Sequence, residues 1–96
     1  MTGVQTCALP IYVFTNPNTE TVLERLGREP DFVVFGVVTE YCVRCAAKGL
    51  LDHGRRVAIV ADAIQALEAE VGQRTLDELT AQSVRLMTTE QALALV

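Results

Sequence analysis

Cys42 is the residue whose type and placement could do chemistry. It stands in Gly36-Val37-Val38-Thr39-Glu40-Tyr41-Cys42-Val43, where a continuously apolar run gives way to a helical pattern. If Thr39 is the N-cap, the thiol lies in the first turn, near backbone N–H groups without intrahelical partners and at the positive end of the helix dipole. Such a position favours the nucleophilic thiolate, and the same N–H groups can stabilise an oxyanion on a substrate bonded to sulfur. Cysteine is also a common core filler, and the edge of an apolar stripe, where Cys42 falls, suits either role. Cys45 completes a C-x-x-C, the spacing of a dithiol redox site, although no Trp precedes it and no downstream X-Pro faces it. With Arg44, Lys48 and Asp52, Cys45 falls on the side away from the stripe. One C-x-x-C and a distant His53 do not make four zinc ligands, so no metal or other cofactor is expected. His53 reads as a cap at a helix C-terminus, and Lys48, the only lysine, as solvated. Glu40 and Asp62 are carboxylates near strand ends, Asp62 with a structural role.

The elements that must position Cys42 follow from hydrophobic period. Phe32-Val33-Val34-Phe35-Gly36-Val37-Val38 and Val57-Ala58-Ile59-Val60-Ala61 are apolar and rich in β-branched residues, as strands buried on both faces are. Between them, Val43, Ala46, Ala47, Leu50 and Leu51 lie on one face of a helix running from Thr39 to His53, stopped by Gly54. Val13-Phe14-Thr15 reads as extended. A helix capped by Thr19 carries Val22, Leu23 and Leu26 and ends at Gly27. Residues 64–82 are helical in pattern, with a break at Gly72. A short strand over 84–87 and a last helix over 90–95, capped by Thr89, close the chain. Alternation of this kind specifies an α/β fold with a mostly parallel sheet and helices covering its faces. In such sheets ligands bind beyond the carboxyl ends of the strands, which is where Cys42 falls.

The 96 residues make at most one domain. Eight Lys and Arg against twelve Asp and Glu leave a net charge of −4, which repels phosphate backbones and argues against nucleic acid as a partner. No apolar run approaches the roughly 20 residues of a membrane span. An odd count of three cysteines fits a reducing, cytoplasmic setting. Thr2-Gly3-Val4-Gln5-Thr6-Cys7-Ala8-Leu9-Pro10-Ile11 has no structural period. It matches the translation of a common short-read sequencing adapter (ACT GGA GTT CAG ACG TGT GCT CTT CCG ATC). Residues 1–11 are therefore expected to be non-native, with 12–96 the C-terminal part of one domain.

Gly36-Val37-Val38-Thr39-Glu40-Tyr41-Cys42-Val43-Arg44, Leu50-Leu51-Asp52-His53-Gly54 and Val57-Ala58-Ile59-Val60-Ala61-Asp62-Ala63 closely resemble the isochorismatase-like cysteine hydrolases, which include the nicotinamidases. Val13-Phe14-Thr15-Asn16-Pro17-Asn18 and Leu86-Met87-Thr88-Thr89-Glu90-Gln91-Ala92-Leu93 extend the likeness. The resemblance implies a Rossmann-like three-layer α/β/α fold and a small-molecule substrate. It makes Cys42 the nucleophile, with a cis peptide bond between Val37 and Val38 and an oxyanion hole formed by the N–H groups of Val38 and Cys42. Tyr41 and Phe14 would line the substrate pocket.

It also implies an Asp–Lys–Cys triad whose Asp and Lys have no counterpart here, and metal-binding Asp and His residues in the nicotinamidase branch that would lie upstream. The expected parent is a cytoplasmic hydrolase of a small amide working through a thioester, and the chain as it stands is expected to be inactive. Two other readings remain: a dithiol protein using Cys42 and Cys45, and a non-enzymatic chain that associates, as a homo-oligomer for instance, through an exposed sheet edge.

Overall fold

The computed structural model describes residues 13–95. The segment read as adapter-derived, with Cys7, and the boundary at Tyr12 lie outside them. Helix α1 spans Asn18–Leu26, strand β1 Asp31–Val37, helix α2 Arg44–Asp52 and strand β2 Arg56–Gln65. Helix α3 (Ala69–Ala81), strand β3 (Arg85–Met87) and helix α4 (Thr89–Leu93) complete the order. The strands form one parallel sheet in the order β1-β2-β3, so the expected α/β class holds.

One face of the sheet carries the core. Phe32 and Val34 of β1 and Val57 and Ile59 of β2 meet Leu23 of α1, Ala47 and Leu50 of α2 and Leu79 of α3. On the other face α4 packs on β2, and its residues Ala92 and Leu93, with Leu95 just beyond it, line a cavity with Asp31 and Val33. This completes a helix–sheet–helix layering. β2 is buried on both faces over Val57–Val60, as its composition requires. β1 is not. Its residues alternate, and Val33, Phe35 and Val37 are exposed on the side away from α1 and α2. Among the described residues no helix is long and apolar enough to cross a membrane.

Charge pins the amino ends of all three strands. Asp31 accepts from Arg56 of β2 at 2.6 Å and from Arg85 of β3 at 3.0 Å, and Arg56 also donates to the Glu29 carbonyl. Partial burial works against the Asp31 charge, but the two guanidinium groups prevail and hold the carboxyl below its ordinary value.

Several local readings are corrected by competing contacts. Val13–Thr15 is a 3₁₀ turn rather than extended, closed by Asn16 N–H on the Val13 carbonyl at 3.1 Å. Thr19 does not cap α1. Pro17 holds the N-cap position, Asn16 Oδ1 accepts from the Asn18 amide, and the Thr19 hydroxyl donates to the Val13 carbonyl.

β2 runs on to Gln65, through residues whose pattern suggested helix, because Ile64 and Gln65 pair with Gly36 and Val37. Gly72 is no break. It lies buried inside α3, where a Cβ would stand 2.5 Å from Ala66 Cβ, so its bare backbone lets the helix approach. The last helix is capped by Thr88, not Thr89. Thr88 Oγ1 accepts from Gln91 N–H and Gln91 Oε1 accepts from Thr88 N–H, a reciprocity that Thr89 with Ala92 could not make.

The β1–β2 register changes between Val34, opposite Ile59, and Gly36, opposite Ile64. Gly36 turns the chain there with φ +116°, a conformation side chains resist. Gly36→Ala should lower stability by about 1–3 kcal/mol, read as a shifted urea midpoint, although a Cβ there would touch nothing.

Candidate functional site

The carboxyl end of β1 runs directly into Cys42. Val38 comes next after the strand, and Thr39–Val43 form a π-helical turn before α2 begins at Arg44. The Val37–Val38 peptide bond is cis. The Val38 carbonyl accepts from the amides of Tyr41 and Val43, both at 3.1 Å, and Thr39 C=O accepts from Arg44 N–H. The sequence pattern made Thr39 an N-cap at the start of one continuous α-helix. Instead Val38 occupies the cap position, and Thr39 is buried with no capping bond. The bond from Val43 back to Val38, five residues away, widens the turn by one residue and rotates α2 relative to an ideal continuous helix.

The packing of α3 alongside α2 corrects the placement of Cys45. Far from facing solvent, Cys45 is 3% exposed. Cys42 is exposed and a free thiol, so it is not bonded to Cys45. Lys48 is not simply solvated either. It reaches Glu78 of α3 at 3.4 Å, alongside the two bonds that Arg44 makes to the same carboxylate at 3.0 and 3.1 Å. The Arg44 hydrogen bonds, foremost, hold the Glu78 carboxyl below its ordinary value.

Tyr41 stands next to Cys42 and is likewise exposed. Phe14 is elsewhere: its ring centroid is 5.2 Å from that of His53, which ends α2 at the opposite end from Cys42. By helix rise that separation is on the order of 15 Å. Phe14 packs against the core. His53 is a cap, with Nδ1 2.8 Å from the Gly49 carbonyl oxygen. Asp62 has the structural role expected of it, accepting from both the amide and the hydroxyl of Thr89 at 2.8 Å. Those two bonds, side chain first, hold its carboxyl below the ordinary value.

Glu40, which the sequence placed near a strand end, has a role that sequence reasoning did not find. Its side chain is buried, and its carboxylate accepts from Leu67 N–H at 3.2 Å and Glu68 N–H at 2.9 Å. Burial opposes the charge, yet the amides of Glu68, of Glu40 itself and of Leu67 hold the carboxyl below its ordinary value. The partners lie 27 and 28 residues away, and no local pattern announces them.

The isochorismatase domain family matches residues 11–91. The chain belongs to that family. Two solved structures are similar to this isochorismatase domain. One is the zinc complex of a pyrazinamidase from Pyrococcus horikoshii, 30% identical, with TM-score 0.68 over 74% of this chain and 39% of its own. The other is an isochorismatase-like hydrolase from Alkaliphilus metalliredigens, 25% identical, with TM-score 0.69 over 80% of this chain and 42% of its own. The chain thus spans about two-fifths of the length of each. A comparison with curated proteins finds no match.

A metal does not fit the part of the isochorismatase domain described here. Among the described residues no three His, Cys, Asp or Glu side chains gather where an ion could be held.

The Glu78 cluster ties α2 to α3, so its contribution should show in the acid limb of stability. A carboxyl held low in the folded state stabilises fully above its unfolded pKa, and that stability is lost as pH falls through the folded value. Glu78→Gln should cost about 0.5–1 kcal/mol at pH 7, a value kept small by solvent screening, and should flatten the fall in thermal midpoint below pH 4.5.

Proposed function

We propose that this chain is part of a cysteine hydrolase of small amides, with Cys42 as its nucleophile. What carries the reading is a free, exposed thiol directly beyond the carboxyl end of β1, in the turn that opens α2, within a chain of the isochorismatase domain family. In the proposed reaction the thiolate attacks the amide carbonyl carbon and a C–S bond forms. The oxyanion that develops is held by the N–H groups of Val38 and Cys42. The C–N bond then breaks, and ammonia leaves with a proton returned by the general acid that had taken it from the thiol. Water hydrolyses the thioester to a carboxylic acid and restores the thiol. The amidase named among the similar structures supports a small heteroaromatic amide as substrate class. Tyr41, exposed beside the thiol, would contact it.

The proton-transfer partners are what this chain lacks. The resemblance calls for an aspartate base and a lysine, and the candidates near Cys42 are committed elsewhere. Glu40 serves two amides, Asp62 serves Thr89, and Lys48 pairs with Glu78. We infer that the chain alone is inactive: it can offer a thiol and oxyanion donors but no organised proton transfer.

A second reading, association of copies through β1, is favoured by Phe35 and Val37, which stand 69% and 64% exposed in one row with Val33. In that case light scattering should find more than one copy per particle, and Phe35→Lys should restore the monomer. A monomeric unaltered chain would remove the reading.

Two measurements test the hydrolase. The 96-residue chain should release ammonia from nicotinamide or pyrazinamide no faster than buffer, and turnover at ordinary enzymatic rates would refute the inactivity. Sequencing the source DNA upstream of the Tyr12 codon should reveal a strand-borne Asp and a Lys shortly before it. The extended protein should hydrolyse such amides and lose at least about a thousandfold in rate on Cys42→Ala. Full activity in that variant would sink the assignment of Cys42.

A further inference from the structure

The thiol sits on a short turn that has to be held from outside. Tyr41 and Cys42 face solvent, while Thr39, Glu40 and Val43 are 2%, 5% and 2% exposed and carry the anchoring. Val43 enters the hydrophobic core. Thr39 lies near α3 at Gly72, whose missing side chain leaves room for Ala66 on the adjoining loop. Glu40 makes the polar anchor, with one carboxylate oxygen on the Leu67 amide and the other on the Glu68 amide. The loop it grips joins β2 to α3 just after Gln65, which pairs with Val37 at the end of β1. The carboxylate therefore bridges the two chain segments that leave the carboxyl ends of neighbouring strands.

We propose that Glu40 is a positioning residue for Cys42: by holding both loop amides it fixes the Thr39–Val43 turn, and with it the direction of the thiol and of the Cys42 N–H. The assignment rests on the reading of Cys42 as nucleophile. Two lesser roles compete with it. As a helix cap alone, Glu40 would order only the start of α3. As a charge alone, it would act on the thiolate through its field, and neutralising it would make Cys42 more reactive.

The full chain with Glu40→Gln or Glu40→Asp separates these roles. Gln keeps the length but loses the charge and half the acceptors, whereas Asp keeps the charge but is too short to span both amides. Amide hydrogen exchange and iodoacetamide alkylation of Cys42, mapped by mass spectrometry, are read on each folded variant. In both, Leu67 and Glu68 should exchange about tenfold faster, and so should Tyr41 and Val43, whose bonds to Val38 depend on the brace. Alkylation of Cys42 should slow roughly three- to tenfold in both, the range that the net loss of one ordinary hydrogen bond gives.

The proposal is overturned if Leu67 and Glu68 lose protection while Tyr41 and Val43 keep theirs, which is a cap. It is equally overturned if Gln speeds alkylation while Asp leaves it unchanged, which is a field. If Glu40→Gln does not fold, the same four amides in Glu40→Asp decide. Alkylation of the unaltered chain no faster than in denaturant would instead refute Cys42 as nucleophile, and the exchange data would still judge the brace.

Discussion

The pairing of β1 with β2 sets where everything else can stand. Over Asp31–Val34 the two strands run in step with Arg56–Ile59, and then the register jumps, so that Gly36 meets Ile64 and Val37 meets Gln65. β2 must therefore accommodate extra residues between Ile59 and Ile64. Among them Val60 still pairs with Met87 of β3, and Asp62 reaches Thr89 and fastens α4 to the sheet. The same jump brings the end of β2 level with the end of β1. That is what lets the loop at Ala66–Glu68 arrive beside Thr39 and Glu40. A single irregularity in one ladder thus serves the last helix and the thiol-bearing turn together, and Gly36 supplies the backbone freedom it requires.

Charge is used at the periphery of this frame to join elements that the core does not. Asp31 ties the amino ends of three strands, and Glu78 ties α2 to α3. Asp62 and Glu40 each hold backbone or hydroxyl donors at the carboxyl side of the sheet. All four carboxyls are held below their ordinary values, so the frame weakens in the same direction as acid is added. Both Asp62 and Glu40 are occupied in building, each holding donors from a distant segment.

The strands at 32–38 and 57–61, the α2 stripe and the stop at Gly54 were legible because each is a local pattern of apolar period or turn chemistry. Cys42 was legible for the same reason, as a thiol at a strand-to-helix junction. What escaped was decided by distant partners. Residues 64 and 65 begin a stretch of helical pattern but extend β2 because Gly36 and Val37 pair with them. Cys45 and Lys48 read as solvent-facing on an ideal wheel, but α3 packs against that side of α2. Thr88 displaced Thr89 as a cap only because Gln91 could return the bond. Glu40 is the extreme case, since the amides that hold its buried carboxylate lie on a loop far along the chain.

In the proposed chemistry, the division between what the chain holds and what it lacks reflects the layout of a parallel sheet. The thiol, the cis peptide bond before it and the N–H donors come from one strand end and the turn after it, so a stretch as short as 37–43 can carry them all. A base and a lysine that act on that thiol must approach from other strands, across the crevice where such sheets bind ligands. Electrostatic stabilisation of an oxyanion needs only preorganised N–H groups, which the local turn and the Glu40 brace can provide. Proton transfer needs a second group within hydrogen-bond reach of the thiol, and that reach is a property of the whole sheet. A chain spanning two-fifths of its structural relatives thus holds one strand end and its turn whole, whereas any reach across the crevice depends on more of the sheet.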